Sequence, residues 1–248
     1  MTACRDIDIL HNSIYLGNSG GYVVYVVGNP PATDSLRFVN NIFDAGGTFP
    51  GIGGRTFYAA NPGAIQTMDY NLYHSRGSQF AVWGGITYVS FATWRQGAPN
   101  VNVNSLSDDP GFVGPTNLHL VCSPSDNLGT PMGILLDIDK QTRSLSTPDI
   151  GADEFTSITV STSLGPDTAY CGAQTIYADT VAFNQFEWGV NQYLPFINVD
   201  TTGFYSVYVI DSNNCRAADT VFIVIDSLPT LPYDGDTVVV CNTTILDA

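Results

Sequence analysis

Lysine occurs once in this chain, at Lys140, and 8 basic side chains stand against 23 acidic ones, leaving a net charge of −15. Such a surface repels a phosphate backbone, so nucleic acid is excluded as a partner, and anionic membranes are disfavoured on the same ground. Charged residues of both signs make up only 12% of the chain, about half the usual share, which leaves little Glu or Lys for long surface helices. No apolar run reaches the roughly 18 residues that span a bilayer. The opening MTACRDIDIL has neither a basic n-region nor a long apolar stretch, so a secretory signal, if the protein is exported, is expected outside this chain. Also missing are Cys-x-x-Cys, Gly-x-Ser-x-Gly, a phosphate loop and His-Glu-x-x-His, which removes the usual zinc, redox, acyl-transfer and nucleotide signatures.

The 248 residues are 44% hydrophobic, enough for one large or two ordinary cores, and their polarity comes from Asn, Thr, Ser and Gly. A loose repeat opens the chain. His11-Asn12-Ser13-Ile14-Tyr15, Val39-Asn40-Asn41-Ile42-Phe43 and Asp69-Tyr70-Asn71-Leu72-Tyr73 each run from polar to aliphatic to aromatic. Ile14 lies 28 residues before Ile42, and Ile42 lies 30 before Leu72. Gly-rich turns follow, then a second β-branched or aromatic stretch, Tyr22 to Val27 and Thr56 to Ala60, then Asn29-Pro30 and Asn61-Pro62. Such units cannot bury their apolar faces alone but can do so stacked, as a parallel β-helix with Ile14, Ile42 and Leu72 in one interior ladder and Asn12 and Asn40 bonding along it. An antiparallel sandwich is the alternative, but variable turns and a position-specific repeat favour the stack. Residues 80–107 break the pattern and read as a hairpin followed by a helical turn.

Further along come Asp109-Pro110-Gly111-Phe112-Val113, Leu118-His119-Leu120, Ser123-Pro124, Asp137-Ile138-Asp139 with Arg143, and Pro148-Asp149-Ile150-Gly151-Ala152-Asp153-Glu154. This order resembles the C-terminal end of bacterial right-handed β-helix surface proteins of the choice-of-anchor Q type, over about residues 66–155 and more loosely before. The resemblance implies an all-β domain at 1–155, the closing coils and cap of a right-handed parallel β-helix.

After Phe155 the chain reads as short alternating strands. Cys171, Trp188 and Cys215, spaced by 17 and 27 residues, have the order of an immunoglobulin-like sandwich, with Tyr205 placed as a tyrosine-corner residue. The stretch resembles the Ig-like or PKD-like repeats of exported Bacteroidetes proteins and implies a β-sandwich at 156–228 with a Cys171–Cys215 bridge, worth about 3–4 kcal/mol. Residues 229–248 read as a linker and first strand of a further repeat, since Cys241 follows Cys171 by 70 residues. Cys241 is then expected to pair beyond the chain, and Cys4 and Cys122 to be buried as small hydrophobes. Extracellular or cell-surface residence, as a monomeric segment of a longer protein, follows from the same resemblance.

The chemistry suggested is binding. Tyr15, Tyr22, Tyr25, Tyr73 and Trp83 form a possible stacking face for an extracellular glycan or surface protein. Asp137, Asp139, Asp149, Asp153 and Glu154 surround Arg143 and suit either a Ca²⁺ site or, on the reading preferred here, a terminal cap held by Arg143. No other cofactor is expected. Polysaccharide cleavage is the alternative activity, with Asp6, Asp8, Asp44 and Asp69 as acids near Arg37, Arg55 and Arg76; they form no recurring acid-plus-base cluster, so no catalytic residue is assigned.

Overall fold

The computed structural model describes residues 4–17, 20–28, 33–46, 54–178, 183–189, 192–213 and 215–226. The expected repeat at 229–248, with Cys241, lies outside them. Among the described residues the fold is mostly β, with one short α-helix and one 3-10 turn at Pro62–Ala64. The chain divides into two units, Met1–Ile158 and Thr159–Ala248.

The first unit carries β1 (Cys4–Arg5), β2 (Asp8–Leu10), β3 (Ser13–Tyr15), β4 (Tyr22–Val26), β5 (Thr33–Asp34), β6 (Leu36–Val39), β7 (Ile42–Ala45) and β8 (Arg55–Ala59). β9 (Ile65–Asp69), β10 (Leu72–Ser75), β11 (Ala81–Trp83), β12 (Ile86–Tyr88), α1 (Phe91–Gly97), β13 (Leu106–Ser107), β14 (Phe112–Gly114) and β15 (Asn117–Leu120) follow. Successive stretches of chain add strands to the same sheets in the same order: β2–β6–β9, β3–β7–β10–β13 and β4–β8–β11. All these neighbours are parallel, which excludes the antiparallel sandwich for residues 8–83. The break in the repeat is the antiparallel hairpin β11–β12, turned through Gly84 and Gly85 at positive φ. Ser90 then caps α1 in a capping box with Thr93 and sends Trp94 into the core.

Two clusters fill this unit: an aromatic one around Phe38, Phe43, Phe57, Tyr73 and Trp94, and a smaller one of Ile42, Leu72, Phe112, Leu120 and Ile150. Ile42 does sit on Leu72, but Ser13, not Ile14, lies beside Ile42. Ile14 pairs with Phe43 and is 36% exposed, so the aliphatic ladder expected from Ile14 is shifted by one residue.

Hydrogen bonding at the corner sets this register. His11, Asn40 and Tyr70 turn the chain with φ of 51°, 59° and 54°, each just before an Asn. The Asn12 backbone N–H donates to Asn41 Oδ1 at 3.0 Å, the Asn41 N–H to Asn71 Oδ1 at 2.9 Å, and the Asn71 N–H to Ser105 Oγ at 2.9 Å. Each Asn Nδ2 also donates to the carbonyl two residues back. Corner amides that no strand partner reaches are thereby satisfied. The laddered asparagines are thus Asn12, Asn41 and Asn71; Asn40, also expected to bond along the stack, does so one position earlier, its Nδ2 lying 2.8 Å from His11 Nε2 of the preceding copy.

The second unit contains β16 (Thr168–Cys171), β17 (Gln174–Tyr177), β18 (Gln185–Trp188), β19 (Phe196–Val199), β20 (Gly203–Ile210) and β21 (Arg216–Asp226). One sheet runs β16–β21–β20–β18, with β16 parallel to β21 and the other pairs antiparallel; β17 and β19 form a second pair. Its core is Trp188 with Val199, Val207, Val209, Val221 and Ile223. Trp188 Nε1 donates to the Leu194 carbonyl at 2.8 Å, and the Tyr205 hydroxyl donates to the Thr201 carbonyl at 2.7 Å.

The cysteines depart from expectation. Cys122, Cys171 and Cys215 are each disulfide-bonded, so Cys122 is not a free thiol. Cys171 lies beside Asp226, at one end of β21, and Cys215 precedes Arg216 at the other. That strand holds them roughly 30 Å apart at about 3.3 Å per residue, far beyond disulfide reach. The Cys171–Cys215 bridge is therefore not the one formed.

Candidate functional site

The exposed aromatic surface of the first unit is narrower than the sequence suggests. On neighbouring parallel strands Tyr25 pairs with Tyr58 and Tyr22 with Arg55. The Tyr25 and Tyr58 rings stack at 4.4 Å with 20° between their planes, and Tyr22 lies 5.5 and 5.1 Å from them. The Arg55 guanidinium sits 5.0 Å over the Tyr22 ring while its Nε donates to Gln79 Oε1 at 2.6 Å. Tyr25 is 56% exposed. Three rings, a cation and an amide thus share one face.

The other expected members are elsewhere. Tyr73 is fully buried, with its hydroxyl on Asn102. Trp83 packs its ring toward Phe57 and Trp94. Tyr15 lies on β3 against the smaller core cluster. Tyr58 was missed, although Tyr22-Val23-Val24-Tyr25-Val26 and Arg55-Thr56-Phe57-Tyr58-Ala59 carry a recognisable signal: a Tyr at the fourth place of both strands.

The acidic segment closes the small core. Ile150 is buried with Ile42 and Leu72, and Gly151 passes so close that a Cβ there would meet Ile42 Cδ1 at 2.7 Å. The Gly151 N–H donates to the Asn40 carbonyl and the Ala152 N–H to Ser13 Oγ. Asn40 exchanges side-chain bonds with the Thr130 backbone. Arg143, 2% exposed, donates to Glu154 and to the carbonyls of Gly151 and Ala152 at 3.1, 3.0 and 2.7 Å.

The five acidic residues do not converge on one point. Asp137 accepts from the backbone of Asp139, Gln141 and Glu154; Asp149 accepts from Asn127 and Phe155; Glu154 holds Arg143, Ser144 and the Asp149 N–H. Burial raises the Asp149 carboxyl to about 6, against the donors Asn127 and Phe155, with Glu154 and Asp126 adding repulsion. Burial lowers His11, beneath the same segment, to about 4, with Arg143 repelling its charged form and the carbonyls of Gly151 and Asp149 opposing.

Asp139 and Asp153 instead meet His119. Among the described residues this is the one group of three His, Cys, Asp or Glu side chains whose ligand atoms all lie within 4.8 Å of one another. Its ligands come from three segments with no regular spacing, so no sequence motif announces it.

The acids weighed for cleavage are dispersed. Asp8 pairs with Arg37 in register. Asp69 accepts from Tyr70 and Asn104 at the corner. Asp44, buried, faces His74 Nδ1 at 2.8 Å, and Asp109 lies 4.0 Å from His74 Nε2 and 3.3 Å from Arg76. None of the described helices is long and apolar enough to cross a membrane. No protein-family model and no curated protein matches the chain.

Proposed function

We propose that this chain is a non-catalytic extracellular binding and display module. In this reading the first unit is the closing turns of a right-handed parallel β-helix, of the kind found in choice-of-anchor surface proteins. The second is an Ig-like sandwich that acts as a spacer in an exported protein. The observation that carries the binding role is the exposed Tyr25 ring stacked on half-buried Tyr58, beside Tyr22 and Arg55. Aromatic faces left in water on a rigid parallel sheet offer flat apolar area at no ordering cost, which suits the C–H face of a sugar ring. Arg55 and Gln79 supply donors at the edge for hydroxyl or carboxylate groups. With acids dominating the whole chain, that single local cation favours glycans bearing carboxylates.

A glycan array followed by calorimetry tests this. Tyr25→Ala and Arg55→Ala are each expected to weaken the best array ligand at least tenfold, with the circular dichroism spectrum unchanged. Affinity unaltered in both variants overturns the assignment of the face.

Polysaccharide cleavage is the second reading, favoured by the Asp44–His74–Asp109 array beside Arg76. An unsaturated-uronide and reducing-end assay on the array ligand separates the two. Product that disappears in His74→Ala establishes cleavage and removes the purely adhesive role.

A further inference from the structure

The His119 ring presents an acceptor to an acceptor. On β15 the Asn117 Oδ1 accepts the His119 backbone N–H at 3.2 Å and also faces ring Nδ1. An amide oxygen there keeps the proton on Nδ1 and leaves Nε2 with a free lone pair. Yet Nε2 lies 2.8 Å from Asp139 Oδ2, itself an acceptor. Asp153, 4% exposed and held by the Leu120 N–H to its Oδ2 at 2.8 Å, completes the group. Two facing lone pairs and a buried carboxylate, with ligand atoms all within 4.8 Å of one another, call for a cation among them.

We propose that His119, Asp139 and Asp153 form a site for a divalent transition-metal ion of the zinc class, fastening β15 to the turn at Asp139 and to the closing segment at Asp153. One imidazole nitrogen and two carboxylate oxygens form the mixed donor set that such ions favour, with the fourth position open to water. Tetrahedral bonds of about 2.0–2.1 Å place neighbouring donors roughly 3.3 Å apart. The exposed His119 and Asp139 reach that spacing by separating about half an ångström. Calcium, the ion suggested by acidity alone, takes 6–8 oxygens, and the three other acids of the segment, Asp137, Asp149 and Glu154, are engaged elsewhere by backbone N–H groups or Arg143. Asn117 sets the tautomer from behind, as metal-bound histidines require.

The test is calorimetric titration of the whole chain with zinc chloride, and separately calcium chloride, at neutral pH. The comparison is wild type, His119→Ala, Asp139→Asn and the control Glu187→Gln, an exposed acid of the second unit. One saturating Zn²⁺ per chain is expected, weakened at least tenfold in His119→Ala and Asp139→Asn and unchanged in Glu187→Gln. At a hundredfold excess over Kd the melting temperature is expected to rise by about 5 °C. Absence of saturable Zn²⁺ binding overturns the site. Binding that survives His119→Ala, or calcium bound more tightly than zinc, also overturns it.

Discussion

The two units solve the same problem, burying β-strands, with opposite use of polar groups. Every buried polar side chain among the described residues, from His11 through Asn41, Asn71 and Arg143 to Asp153, lies in the first unit. Among its described residues the second unit buries apolar side chains alone, around Trp188, and it pairs its longest described strands, β20 and β21, as neighbours in sequence. Parallel stacking joins strands about 30 residues apart and turns at tight interior corners, where backbone groups have no ladder partner. Buried amides must answer them, and the end of the stack must be closed. An antiparallel hairpin satisfies its backbone locally and turns in solvent. Burying a polar side chain therefore specifies register in one unit and has no use in the other.

The most damaging way to test this contrast is Arg143→Ala. It removes the guanidinium bonded to Glu154 and to the Gly151 and Ala152 carbonyls, leaves the Glu154 carboxylate with backbone donors alone, and is expected to cost the first unit about 3–5 kcal/mol. Two-transition denaturation should show the second unit unaffected. Trp188→Ala is the mirror image, about 3–5 kcal/mol lost from the second unit alone. A single common transition in either variant would break the division.

Acid sharpens the comparison. Asp149, raised to about 6 in the folded state from an ordinary 3.8, binds its proton earlier when folded, so its burial costs stability above pH 6 and that cost is relieved as pH falls toward 4. His11, lowered to about 4 from 6.5, acts oppositely: stability present above pH 6.5 is lost as pH falls toward 4. Each is worth up to about 3 kcal/mol, so they largely offset in the intact chain. His11→Gln should make the first unit more stable at pH 4.5 than at pH 7, and Asp149→Asn less stable, by urea denaturation at both pH values. The second unit should show neither effect.

Smaller effects grade the polar contribution. Asn41→Ala leaves the Asn12 N–H without its acceptor, removes the side-chain bonds to the Ile9 and Val39 carbonyls, and is expected to cost about 2–3 kcal/mol. Tyr205→Phe removes a solvent-exposed hydroxyl bonded to the Thr201 carbonyl and Oγ1 in the second unit and should cost about 1 kcal/mol. Equal costs for these two, measured by chemical denaturation, would erase the distinction.

The sequence carries much of this. Recurring aliphatic–aromatic pairs mark the strands, the Gly84-Gly85 turn and Ser90 mark the excursion, and Arg143 amid acids marks the closure. Register was misread in the first copy because Ile14, Ile42 and Leu72 look equivalent, whereas hydrogen-bond satisfaction at Asn12, Asn41 and Asn71 decides the alignment. The cysteine bridge was misjudged because Cys…Trp…Cys order carries no information on which end of a strand each thiol occupies. Tyr73 was indistinguishable from Tyr25 by type, since exposure depends on which sheet faces inward. His119 joins two acids only through the fold.

Amide hydrogen exchange at Asn12, Asn41 and Asn71 tests the asparagine ladder most directly. In the intact chain these three N–H groups should exchange as slowly as those of β7 and β10, and all three should accelerate together in Arg143→Ala. Rapid exchange at Asn41 in the intact protein would contradict the account.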